Sequence, residues 1–123
     1  MLNFYVLLFT GNCMSDLNQA IINALEDLKG KNIVTLDVRE LSDVMDTLII
    51  ASGTSSRHAR ALAENLVEDT KKQGFRALGI EGLEVGDWVL VDYGDTVVHV
   101  MQQETRDFYE LEKLWSMKPA NRS

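Results

Sequence analysis

His99 and Asp92 fall on one face of an expected β-hairpin, two positions apart, a spacing that could set a general base beside an orienting acid. No nucleophile accompanies them on that face. Metal ligation needs company, and the chain has only two histidines and a single cysteine, Cys13, at no ligand-like spacing. A hydrogen-bonded or partner-facing His99 is therefore preferred to a catalytic one. A second cluster, Ser52-Gly53-Thr54-Ser55-Ser56-Arg57-His58, runs from a strand into a helix start, where free amides and Arg57 could hold an anion. It lacks the full phosphate-loop pattern and its Lys, so helix capping is the preferred reading. The acids Asp37, Asp43, Asp46, Asp87, Asp92 and Asp95 form no tight Asp-x-Asp pair of the sort that holds magnesium, and Asp92 and Asp95 are explained by turn chemistry. No catalytic residue, metal site or cofactor is assigned.

The element that positions His99 is the most informative in the chain. Trp88 to Met101 reads WVLVDYGDTVVHVM, two Val- and aromatic-rich runs around the turn signal Gly94-Asp95. With those two residues as the loop, Tyr93 faces Thr96, Asp92 faces Val97, Leu90 faces His99, and Trp88 faces Met101. One hairpin face then carries Val89, Val91, Tyr93, Thr96, Val98 and Val100, an ordinary core set. The other carries Trp88, Leu90, Asp92, Val97, His99 and Met101, the make-up of a contact surface. A helix follows at RDFYELEKLW, with Thr105 as its expected cap and Phe108, Leu111 and Trp115 as its buried stripe. Arg106, Tyr109 and Lys113 form an offset stripe. It is either a polar outer face or an extension of the contact surface onto the helix.

Upstream, Ser15 can cap a helix whose apolar stripe is Leu17, Ala20, Ile21, Ala24, Leu25 and Leu28, with Gly30 just beyond it. Ile33 to Val38 and Thr47 to Ser52 read as strands. Ser55 or Ser56 caps a second helix with the stripe Ala59, Leu62, Ala63, Leu66 and Val67, ended at Gly74. Ala77 to Ile80 reads as a short strand, and a Gly-rich acidic loop leads from Glu81 to Asp87 into the hairpin. The expected fold is α/β (α+β): one mixed five-stranded sheet flanked by helices.

At 123 residues the chain is one domain. The first thirteen residues are apolar without Lys or Arg, unlike a signal peptide, and too short to span a bilayer. They read as a leader or extension, the alternative being an extra strand on a sheet edge, with the domain over 14–116 and a tail over 117–123. A formal net charge of −7 repels phosphate backbones, so a basic protein is a better partner than DNA or RNA. One cysteine permits no internal disulfide and favours an intracellular location; the expected protein is cytoplasmic and contacts no membrane.

The motifs DLKG (Asp27 to Gly30), SGTSSRH, Glu81-Gly82, WVLVDYGDTVVHVM and RDFYELEKLW stand in the order found in the ribosomal silencing factor (RsfS, iojap-like) family, and the chain resembles it from Leu17 to Trp115. The resemblance implies a nucleotidyltransferase-like fold without that active site. It implies binding to ribosomal protein L-fourteen of the large ribosomal subunit, steric blocking of subunit association, and repression of translation when nutrients are scarce. It also implies a homodimer in the free state. The family's contact residues include a Trp, a His and a Tyr that match Trp88, His99 and Tyr109. Together with the hairpin face and the helix stripe, the expected partner-binding set is Trp88, Asp92, His99, Met101, Arg106 and Tyr109. Two other readings remain: a nucleotidyltransferase-like enzyme, which needs converging carboxylates and Mg²⁺, and a self-associating adaptor.

Overall fold

The computed structural model describes residues 16–40 and 42–110. The segment 1–13 expected to be a leader, Ser15, Leu111, Lys113, Trp115 and the expected tail over 117–123 lie outside the described residues. Helix α1 (Asp16–Asp27) buries Ala20, Ile21, Ala24 and Leu25 at the spacing of one helical face. It ends with Lys29 in the left-handed region at φ 59, while the amides of Lys29 and Gly30 donate to the carbonyls of Glu26 and Leu25. That is the hydrogen-bond pattern of a Schellman stop, with Lys29 rather than glycine in the strained position. Gly30 serves a different need, since a Cβ there would lie 3.0 Å from the Leu25 carbonyl oxygen.

Strands β1 (Lys31–Asp37) and β2 (Thr47–Gly53) pair antiparallel, with a register shift between Lys31 and Val34. Helix α2 (Ser56–Lys72) follows, then β3 (Gly79–Glu81), β4 (Trp88–Asp92), β5 (Thr96–Gln102) and helix α3 (Gln103–Tyr109). The strands form one mixed sheet in the order β1-β2-β5-β4-β3. Only β2 and β5 run parallel; the other neighbours are antiparallel. The hairpin register is the expected one, with Trp88 opposite Met101, Leu90 opposite His99 and Asp92 opposite Val97. The Tyr93 amide donates to the Thr96 carbonyl at 2.9 Å, and Gly94 takes a φ of +96, which the tight loop requires.

Side chains alternate across each strand, so the sheet has two unlike faces. Ile49, Ala51, Val89, Val91, Val98 and Val100 point to one face and pack under Ile21, Ala24 and Leu25 of α1 and Ala59, Leu62, Ala63 and Leu66 of α2. On the other face Leu48, Ile50 and Met101 join Val38 in a smaller cluster, with Leu36, Met45, Trp88 and Val97 against it. Helix α3 lies at that second face.

The last helix departs from expectation in two ways. It begins directly after β5, at Gln103, with Gln102 as an N-cap that makes no side-chain capping bond, so Thr105 sits inside the first turn and caps nothing. Phe108 is 78% exposed instead of buried. The cause is helix phase: Arg106 faces the sheet, and a residue two positions on is rotated by roughly 200°.

Candidate functional site

Trp88 opens β4 and His99 lies midway along β5, on the same sheet face. The Trp88 indole N–H donates to His99 Nδ1 at 2.8 Å. Nδ1 is thus an acceptor, which puts the proton of the neutral ring on Nε2. His99 is 8% exposed, and burial pulls its pKa down to about 4. Removing the imidazolium from water is the cause. At neutral pH His99 is an uncharged anchor for Trp88, with the lone pair a general base would use already engaged.

Trp88 carries the site outward. Its ring lies 5.1 Å from that of Tyr109, and Phe108 meets Tyr109 edge-on at 4.9 Å. Spacings and tilts of this kind are those aromatic pairs prefer. Asp87, Trp88, Glu104, Thr105, Phe108 and Tyr109 line an open groove. Tyr109 is 55% exposed, so half of a large amphipathic side chain is presented to solvent.

The six residues expected at a partner surface separate into three groups. Trp88, His99 and Tyr109 come together through ring contacts, His99 lying beneath Trp88. Met101 and Arg106 are buried within the chain, which corrects their expected exposure. Met101 is held among Val38, Leu48 and Ile50. Arg106 is 4% exposed and its Nη1 donates to Ser52 Oγ at 2.7 Å, which ties α3 to the end of β2. Asp92 lies at the hairpin turn, where its Oδ1 accepts the Gly94 amide at 2.7 Å, the role that turn chemistry assigns it.

Asp87, Glu104 and Phe108 line the groove but were not among the expected contact residues. The available signal was the acid spacing Glu104, Asp107, Glu110 around Phe108, which marks that side of the helix as solvent-facing.

Thr54, Ser55 and His58 of the SGTSSRH cluster are engaged within the fold. Ser55 is the N-cap of α2 and accepts the His58 amide at 3.1 Å. His58 Nδ1 accepts the Thr54 amide at 2.9 Å, so its Nε2–H donates to the Leu28 carbonyl at 2.7 Å. One histidine thereby joins the start of α2 to the end of α1. Gly53 lets the first turn of α2 close against the end of β2, since a Cβ there would sit 2.8 Å from the Ala59 nitrogen. Among the described residues, no three His, Cys, Asp or Glu side chains converge as metal ligands would.

The sequence profile of the family described as "Ribosomal silencing factor during starvation" matches residues 13–123. The chain is 47% identical over 96 residues to ribosomal silencing factor RsfS of Haemophilus influenzae, covering 78% of this chain and 94% of that protein. It is 37% identical over 101 residues to mouse "Mitochondrial assembly of ribosomal large subunit protein 1", covering 80% of this chain and 44% of that one. A crystal structure of a Chromobacterium violaceum protein superposes with a TM-score of 0.80 at 45% identity, covering 85% of this chain and 88% of the other. By sequence and by fold, the chain belongs to the ribosomal silencing factor (RsfS) family.

Proposed function

We propose that this chain represses translation by binding the large ribosomal subunit and physically blocking its union with the small one. The observation that carries the reading is the exposed aromatic groove of Trp88, Phe108 and Tyr109 on the less covered face of an acidic domain. Aromatic anchors of this kind dominate binding energy at protein interfaces. A charge of −7 favours encounter with a basic protein over RNA, and ribosomal protein L-fourteen is the proposed contact. Family membership supports a ribosomal target, and one relative is named for large-subunit assembly. No bond is made or broken: the strength of silencing follows affinity and occupancy. The free protein is proposed to be a homodimer acting in the cytoplasm.

A subunit-joining assay on purified ribosomes tests this directly. Wild-type protein titrated into separated subunits should lower the joined fraction in a saturable way. Tyr109→Ala should bind large subunits more weakly by roughly 2 kcal/mol, the cost of truncating a hot-spot aromatic. Wild-type-like co-sedimentation of both Tyr109→Ala and Trp88→Ala would remove this surface from the mechanism. Light scattering with and without large subunits tests whether the dimer dissociates on binding, as steric silencing through the same groove requires. The enzyme reading gains no support from the geometry, where the Ser52 to His58 turn is engaged in capping.

A further inference from the structure

The charges around the groove are sorted by sign. Its lining includes two carboxylates, Asp87 and Glu104, and among the described residues no Lys or Arg. Helix α3 and its C-cap present Glu104, Asp107 and Glu110 at exposed positions. Arg106, the one cation among the described residues of α3, faces the opposite way, where it is buried and donates to Ser52. Acids three positions apart on a helix repel one another. Asp87 accepts an amide hydrogen from Gln102 at 2.8 Å, which holds its carboxylate at the groove edge. The groove thus places aromatic rings beside the carboxylates of Asp87 and Glu104, with no Lys or Arg among the described residues that line it.

We infer that this groove seats an arginine side chain of the docking partner. The inference rests on the silencing reading and gives the partner's contact group a chemistry. A guanidinium is planar and weakly hydrated, so it stacks on Tyr109 or Trp88 while its N–H fork reaches carboxylates. An ammonium offers neither the plane nor the fork. An apolar side chain would fill the groove but offer no charge to offset desolvation of the Asp87 and Glu104 carboxylates. Phe108, edge-on to Tyr109, holds the ring that receives the guanidinium.

Binding of the full chain to purified large subunits, measured across a range of salt, supplies the test. Asp87→Asn with Glu104→Gln should weaken binding about tenfold at low salt and flatten its salt dependence, since charge-assisted hydrogen bonds are lost and screening has less to act on. Tyr109→Leu keeps apolar area but loses the ring and should weaken binding roughly fivefold, while Tyr109→Phe should bind like wild type. A probe free of the ribosome is N-acetyl-arginine methylamide, titrated while the Trp88 indole and Tyr109 ring signals are followed by NMR. It should shift them more than the norleucine or lysine analogues do. Wild-type-like binding by the charge-neutralised pair, or equal shifts from the arginine and norleucine analogues, overturns the arginine seat and leaves the silencing reading intact. Failure of the wild-type protein to bind large subunits at all removes the silencing reading instead, and the amide titration then still decides the chemistry of the groove.

Discussion

The face of the sheet under α1 and α2 and the face near α3 share the same strands and differ in what those strands offer. On the first face the core strands present mainly Val, Ile and Ala, met by fully buried Leu, Ile and Ala from two long helices, with a polar pair at the edge where Thr96 Oγ1 donates to Asn18 Oδ1 at 2.8 Å. On the second, aliphatic residues alternate with Ser52, His99 and the guanidinium of Arg106, and the covering helix has seven residues. The first arrangement rests mainly on nondirectional burial that sums over area. The second depends on a few directed hydrogen bonds, each costly to lose where water is excluded. Stability is thus concentrated on one side, and a recognition groove can be built on the other without opening the main core.

Four experiments break or sharpen that contrast, taken from the largest expected effect to the smallest. Leu62→Ala removes a fully buried side chain from the helix-covered face and should destabilise the protein by about 2–5 kcal/mol in urea. The Trp88–His99 contact should survive in the folded fraction, visible in the indole N–H resonance. Equal disturbance of both faces would show that the two are one cooperative layer.

His99 tests the second face through pH. Its pKa is pulled from an ordinary 6.5 to about 4, so the unfolded chain takes up the proton first as pH falls. The stability this neutral ring confers is complete above about 6.5 and is lost as pH drops through about 4, a difference of about 3 kcal/mol. His99→Gln keeps an acceptor for Trp88 without titrating, and should abolish that portion of the pH dependence in chemical denaturation. A wild-type pH profile in the variant would place the acid sensitivity elsewhere.

Ser52→Ala deletes one charge-assisted hydrogen bond to Arg106 and should cost about 1.5–3 kcal/mol, with faster amide exchange concentrated in α3. Uniform exchange across the sheet would contradict the tethering role. Tyr109→Ala lies at the bottom of the stability scale: at an exposed position it should change unfolding free energy by less than about 0.5 kcal/mol. The same substitution carries the largest proposed loss in ribosome binding, so the two measurements separate folding from recognition at one residue.

Much of this fold is legible in the amino-acid sequence, and the reasons are local. Gly94-Asp95 between alternating strands determines the hairpin register to the residue, because a two-residue loop leaves no slack. The stripes of α1 and α2 announce their buried faces through helical spacing. Alternation also separates the two hairpin faces, but it is silent about what covers each one. That is why Met101 and Arg106 read as surface and lie inside. Three apolar positions, Phe108, Leu111 and Trp115, are too few to establish the phase of the last helix, so Phe108 reads as buried while it points out. The parallel pairing of β2 with β5 is invisible in any window, since it joins segments separated by a helix and two other strands. His58 read as part of a helix start, and its bond to the Leu28 carbonyl depends on a packing of two helices that no local pattern encodes.

The parallel β2–β5 pair also dictates an order of assembly during synthesis. Thr47 finds its neighbour Thr96, and Gly53 finds Gln102, only after the intervening α2, β3 and β4 have been made. Until the final quarter of the chain leaves the exit tunnel, β2 has β1 on one side and an unsatisfied row of amides and carbonyls on the other. Long-range closure of this kind is slow, and the growing chain remains adhesive until it occurs. A nascent chain stalled before Thr96 therefore holds a half-built sheet with its stickiest edge uncovered, and is expected to need chaperone protection until synthesis resumes.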